Sequence, residues 1–260
     1  MEYAFSNDGT RIAYERSGDG PPLILVVGAF NDRHTGESLA EFLAADFSVF
    51  AYDRRGRGDS GDTAPYAVER EIEDLGVLIA AAGGSAAVFG FSSGAILALK
   101  AAASGLSIRK LALYDAPFDV DSGSSGPSVD HAARLGALVA DGRRGDAVEY
   151  FQAEMVGLPP DVVAQIRHAP FRPALEQMAH TLVYEATIIG DGSLPAGLAA
   201  RVTIPVLAID GGDFAHGRLR RAAQAVAGAV RDGRHLALED QHHQILPEII
   251  GPPLRDFFGA

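Results

Sequence analysis

The sequence predicts an α/β fold, a mostly parallel twisted sheet flanked by helices and carrying a helical cap insertion. Three observations carry this expectation. Short runs rich in β-branched and aromatic residues alternate with longer Ala/Leu-rich amphipathic stretches, the pattern of strands joined by crossover helices. Several strand candidates, such as LILVV at Leu23–Val27 and KLALY at Lys110–Tyr114, are almost continuously apolar, as strands covered on both faces are. The alternation then stops between Pro117 and about Ile204, where helical patterns follow one another without a clear strand.

Taken in order, the strands are expected at Arg11–Arg16, Leu23–Val27, Ser48–Tyr52, Ala86–Phe91, Lys110–Tyr114, Pro205–Ile209 and His235–Leu238. Helices are expected at Gly36–Ala45, Val68–Ala82, Ser93–Ala103, Arg218–Ala229 and Leu246–Phe258. Asp121–Ser128, reading DSGSSGPS, is a polar linker. Helical patterns follow it near Val129–Ala140, Gly145–Gly157, Asp161–Ala169 and Pro173–Ile189. The interruption is far longer than the dozen or so residues a crossover needs. The expected organisation is therefore a core of residues 1–116 and 204–260 with a helical cap at 117–203.

The 260 residues suit one large domain, and a hydrophobic fraction of 47% supports a sizeable core. A net charge of −12 disfavours nucleic acid as a partner, because such a surface repels phosphate. With no cysteine, disulfides, thiolate metal sites and a Cys nucleophile are excluded, and a reducing cytosol is the expected compartment. The first residues lack a basic stretch followed by an apolar one, and no apolar run approaches the ~20 residues of a membrane span, so no membrane association is expected.

Gly90-Phe91-Ser92-Ser93-Gly94 matches G-x-S-x-G. It follows an apolar strand, AAVFGF, and opens an Ala/Leu-rich helix, which is the strand–turn–helix setting of a nucleophile elbow. The turn is sharp, so small neighbours are required, and Gly90 and Gly94 supply them. Ser92 holds the central position and is the candidate nucleophile.

These features together resemble the α/β-hydrolase fold. The matching segments are GFSSG at Gly90–Gly94, YDRRGRGDS at Tyr52–Ser60, the DQHH loop at Asp240–His243 and the long insertion after Tyr114. The chain most resembles small serine esterases and lactone hydrolases of the zearalenone-hydrolase type, which carry an S-S-G-A elbow and no His-Gly in the oxyanion loop.

The resemblance implies a triad. Its His comes last in the chain, in a loop after the final strand, where His242 and His243 both fit by position. His243 is preferred, since the loop is similar to the family's G-Q-x-H segment with Asp240 in the Gly position. The acid has three candidates. The usual position lies after strand Pro205–Ile209, but a G-x-x-D pattern from Gly211 puts Phe214 there, with Asp213 one residue early and Asp210 at the strand end. Asp115 ends the strand beside the nucleophile strand, and zearalenone-type enzymes place their acid there, as Glu rather than Asp. Asp115 is preferred, with Asp213 and Asp210 kept as alternatives. Oxyanion donors are expected from the N–H of Ser93 and of Ala29 in the loop Val27–Asp32, with Phe30 as the alternative.

The implied chemistry is hydrolysis of a small apolar ester or lactone through an acyl-enzyme, with no metal or cofactor. Phe30 and Phe91 should flank the chemistry; Phe151, Met155, Met178 and Tyr184 are candidates to line its cap side, with the core of the cap itself the preferred place for the four. Two rival expectations remain. One is a non-hydrolytic or catalytically silent member of the fold. The other is a dinucleotide site, because Gly56–Gly61 matches G-x-G-x-x-G; it lacks the acid on a second strand that such a site needs.

Overall fold

A computed structural model describes residues 1–120, 129–212, 217–239, 241 and 243–260. Eight strands form one sheet: β1 (Glu2–Phe5), β2 (Arg11–Ser17), β3 (Pro22–Val26), β4 (Ser48–Tyr52), β5 (Ala86–Phe91), β6 (Ile108–Tyr114), β7 (Pro205–Asp210) and β8 (Asp232–Ala237). Their spatial order is β1-β2-β4-β3-β5-β6-β7-β8. β1, β2 and β4 pair antiparallel, and every pairing from β4 to β8 is parallel. The chain order reverses around β3 and β5, and open α/β sheets bind ligands at such a switch, beyond the carboxyl ends of the strands.

The apolar runs become intelligible in β3. Ile24 and Val26 face one layer, containing α2 (Val68–Ala81) and α3 (Ser93–Ala103). Leu23 and Leu25 face the other, containing α1 (Glu37–Leu43) and the C-terminal helix at Pro247–Gly259. Alternate side chains of a strand point to opposite faces, so a strand between two helical layers is apolar throughout.

Between β6 and β7 lie α4 (His131–Ala140), α5 (Arg144–Tyr150), a π-helical turn at Phe151–Val156, α6 (Pro160–Arg167), α7 (Arg172–Gln177), α8 (Leu182–Ile189) and the short α9 (Ala196–Ala199). After β7 come α10 (Arg218–Ala229) and, last, α11 (Pro247–Gly259). The inserted helices have a small core of their own, with Leu135, Leu138, Val148, Phe151 and Leu182, and Phe30 packs against it. Polar contacts tie this layer to the sheet domain. Lys100 Nζ donates to the Ile188 carbonyl at 2.6 Å, and Arg54 Nη1 reaches Glu185 at 2.8 Å. Among the described residues no helix is long and apolar enough to cross a membrane.

Several elements differ from expectation. β1 is an additional strand in which only Ala4 is buried, so no apolar run announces it. β8 begins at Asp232, three residues before the expected start, and its mostly polar, part-exposed residues suit an edge strand. The single helix expected at Gly145–Gly157 divides into α5 and the π turn. The one expected at Pro173–Ile189 divides into α7, a 3-10 turn at Ala179–Thr181 and α8. Neither break carries an internal Gly or Pro, so the pattern had no signal for it. The linker at Asp121–Ser128 lies outside the described residues.

Candidate active site

The elbow is assembled by backbone constraints. Ser92 follows directly on β5 with φ 56° and ψ −130°, and α3 starts at the next residue. Its N–H donates to the Tyr114 carbonyl at 2.9 Å, which continues the β5–β6 ladder one step past the strand. A Cβ on Gly94 would sit 2.3 Å from the Val26 carbonyl oxygen, so α3 approaches β3 this closely only with glycine there. A Cβ on Gly28 would lie 2.8 Å from Ser92 Cβ. The loop after β3 therefore lies against Ser92.

Asp115 follows β6 in the same way. Its N–H donates to the Ile209 carbonyl at 2.9 Å, and its side chain is fully buried. Oδ1 accepts the Gly211 N–H at 2.9 Å, and Oδ2 lies 2.8 Å from His243 Nδ1. The His243 loop is held from behind. Leu238 N–H donates to the Asp210 carbonyl at 2.7 Å, Gln241 N–H to the Gly211 carbonyl at 2.9 Å, and Tyr114 Oη to the Gln244 carbonyl at 3.0 Å. Burial, with Asp115 and Asp210 nearby, pushes the Tyr114 phenol up, so it stays a donor. The imidazole packs on Phe91 with ring centroids 4.8 Å apart.

Of the other acid candidates, Asp210 is buried but committed elsewhere. Its Oδ2 lies 2.6 Å from His235 Nε2, and Oδ1 accepts from Arg220 Nε at 3.1 Å. Asp213, Phe214, Asp240 and His242 lie outside the described residues.

Four non-glycine residues among those described have positive φ: Phe30 (60°), Ser92 (56°), Asp115 (53°) and His243 (60°). Each such conformation costs ~1–3 kcal/mol and persists only where the surroundings impose it. That all four fall on residues singled out for one site is the clearest geometric sign of a built centre.

Ser92, Ser93, His243, Ala29, Phe30 and Phe91 line one cavity of about 300 Å³. Phe151 and Met155 reach it from the inserted helices while also packing in the small core there, and Phe151 meets Phe30 edge-on at 5.6 Å. Met178 and Tyr184 do not line it. Tyr184 is stacked on Tyr66 at 3.9 Å with its hydroxyl donating to Asp62. Ala29 also departs from expectation: its N–H donates to Ser93 Oγ at 3.0 Å. Phe30 N–H has no protein acceptor among the described residues. Ser93 N–H, first in α3, has no acceptor within the helix.

Two supports for this loop escaped the sequence reading. Arg57, buried, donates through Nη1 to the Gly28 carbonyl at 2.6 Å and the Asn31 carbonyl at 3.1 Å. Asn31 Nδ2 donates to the Ala29 carbonyl at 2.7 Å. The Gly56–Gly61 turn is thus a brace rather than a phosphate cradle. Its Asp59 N–H is already taken by Asp53 at 2.8 Å. Nothing in the sequence marked Arg57 as different from its neighbours Arg54 and Arg55. Among the described residues no group of three or more imidazole or carboxylate side chains is arranged to hold a metal ion.

Comparison with known proteins agrees with this architecture. An alpha/beta hydrolase from Sphaerobacter thermophilus is 53% identical, covers 99% of this chain and 100% of its own, and superposes with a TM-score of 0.92. The enol-lactonase from Burkholderia xenovorans shares the fold at a TM-score of 0.71, with 23% identity and full coverage of both chains. The uncharacterized hydrolase YraK of Bacillus subtilis is 37% identical over 95 residues, so that the match spans 35% of either protein. The model of the alpha/beta hydrolase family matches residues 23–248, and the chain belongs to that family.

Proposed function

We propose that the protein is a serine hydrolase that cleaves a carboxylic ester or lactone. The observation that carries this reading is the 2.8 Å contact between Asp115 Oδ2 and His243 Nδ1, in a site where His243 and Ser92 line the same cavity. Asp115 accepts a hydrogen bond from Nδ1–H and fixes the tautomer, leaving Nε2 as the base. Ser92 Oγ attacks the carbonyl carbon as its proton passes to His243 Nε2. The leaving alkoxide then takes that proton, and water repeats the sequence on the acyl-enzyme. Asp115, buried and held by the Gly211 N–H as well, offsets the charge of the imidazolium.

The oxyanion is received by the Ser93 N–H and by the loop after β3. That loop offers two donors: the Phe30 N–H, unengaged at rest, and the Ala29 N–H, released when Ser93 Oγ turns away. The helices at 117–203 act as the cap, and Phe30, Phe91, Phe151 and Met155 give the site apolar walls suited to a small apolar acyl or ring. This chemistry needs no metal or cofactor. The enol-lactonase of similar fold acts on a ring ester, in keeping with this substrate class.

Hydrolysis of a p-nitrophenyl ester tests the reading. Wild type should release chromogen, and Ser92→Ala should abolish release while keeping the wild-type melting temperature. Equal rates in the two proteins would refute the assignment of Ser92. Ligand-induced thermal stabilisation without any turnover would favour a silent binding protein.

A further inference from the structure

The reaction as drawn uses one end of the cavity and leaves two polar groups on its walls without a role. Gln152, in the π turn, is only 4% exposed, yet its Oε1 is buried with no hydrogen-bond partner. Arg218, the first residue of α10, lines the same cavity, and its Nε is likewise buried without a partner. Neither side chain takes a protein hydrogen bond or ion pair among the described residues. By contrast, the buried Arg33, Arg54, Arg55 and Arg57 each meet a carboxylate. A second cavity of about 190 Å³ shares Pro117, Met155, Ile189 and Arg218 with the first and has Asp119, Glu154 and Asp191 on its walls, and no salt bridge joins Arg218 to any of these three.

The backbone adds to this. α10 runs for 12 residues, its N-cap is Gly217 with no side-chain cap, and its first turn holds no acidic residue. That first turn borders the cavity at Arg218 and Leu219, with the positive end of the helix dipole toward it. Burying a polar group without a partner is costly, and two such groups lining one cavity are accounted for by a ligand that satisfies them. A carboxamide can present either end, so Gln152 can offer its NH₂ to an acceptor. A guanidinium, an amide NH₂ and a helix N-terminus share one complement, an anionic oxygen.

We propose that this wall is an anion subsite, and that the substrate is an ester or lactone bearing a free carboxylate, gripped by Arg218 and Gln152 while Ser92 attacks the ester carbonyl. The proposal rests on the serine hydrolase reading and sharpens it. The substrate is amphiphilic, its apolar part against the phenylalanines and its carboxylate at α10. π-Helical turns recur at functional sites, and here the turn is what sets Gln152 into the wall.

The test is calorimetric titration of Ser92→Ala protein with monomethyl glutarate and with dimethyl glutarate, beside hydrolysis of both esters by wild type. The half-ester anion should bind about tenfold or more tightly than the diester, as a charge-assisted contact implies. Adding Arg218→Met should remove the difference, Gln152→Leu should reduce it, and Arg218→Lys should keep part of it. Equal or tighter binding of the diester overturns the proposal. So does a preference that survives in a folded Arg218→Met protein, or failure of both compounds to bind. Anion-selective binding with no hydrolysis by wild type would retain the subsite and refute the hydrolase reading. Hydrolysis without selectivity would do the reverse.

Discussion

Two settings of buried carboxylates in this protein behave in opposite ways. The first is woven into the segment Asp53–Arg57. Glu71 and Glu185 enclose Arg54, with both Glu71 oxygens at 2.7 Å, and Glu185 also meets Arg57. Asp74 holds Arg55 through both oxygens at 2.7 Å, and Asp53 holds Arg33. The second is Asp115, whose partners are one backbone N–H and one imidazole. In the first group every carboxylate faces a guanidinium that never gives up its proton. Burial, which alone would raise Glu71, is outweighed by Arg54, and its carboxyl is held below the usual range. Such a network ties elements together, here α8 to the sheet domain. In the second group the partner is a side chain able to gain and lose a proton, on residues held at positive φ. Buried charge is common to both, and the difference lies in whether the partner can change state.

The largest expected effects separate the two groups. Asp115→Asn should lower turnover by ~10⁴, as loss of a triad acid does, with little change in melting temperature. An Asp115→Asn protein that is destabilised but still active would erase the distinction. Glu185→Ala should do the opposite. Removing one side of a buried ion pair costs ~3–5 kcal/mol, because two arginines are left facing each other, and a denaturant melt reads this directly. Asp210 serves as the internal control. It is paired with His235 and Arg220, so Asp210→Asn should cost ~2 kcal/mol of stability while turnover persists.

The smallest effect concerns pH. Burial would raise Asp8, but hydrogen bonds from Thr10 and Arg55 outweigh it and hold the carboxyl at about 2, from an ordinary 3.8. A depressed folded value means stability that is complete above the ordinary value and lost as pH falls through the folded one. Stability should therefore decline between pH 3.8 and about 2, and Asp8→Asn should flatten that part of the curve alone. A variant with an unchanged acid limb would show that Asp8 takes no part in the network.

The same contrast explains what could be read in the sequence. The parallel strands were legible because burial on both faces leaves an apolar run, and the elbow because a tight turn between β5 and α3 demands glycines at fixed positions. β1 was not legible, since an edge strand with one buried residue has no pattern. The π turn at Phe151–Val156 was hidden because its apolar positions continue those of α5. The choice between Asp115 and Asp210 depends on which strand end faces the His243 loop, and that is set by Tyr114, Gly211 and Gln241 in three dimensions. Arg57 and Arg218 look alike in sequence. One is a brace with two carbonyls and a carboxylate, the other a cation with no partner among the described residues, and only packing distinguishes them.

The central claim is that Ser92 is an activated nucleophile in a working oxyanion site. Intact-protein mass spectrometry after treatment with a fluorophosphonate probe tests it most directly. Wild type should carry a single adduct and Ser92→Ala none. A folded wild-type protein that takes no adduct, or a Ser92→Ala protein that still takes one, would contradict it.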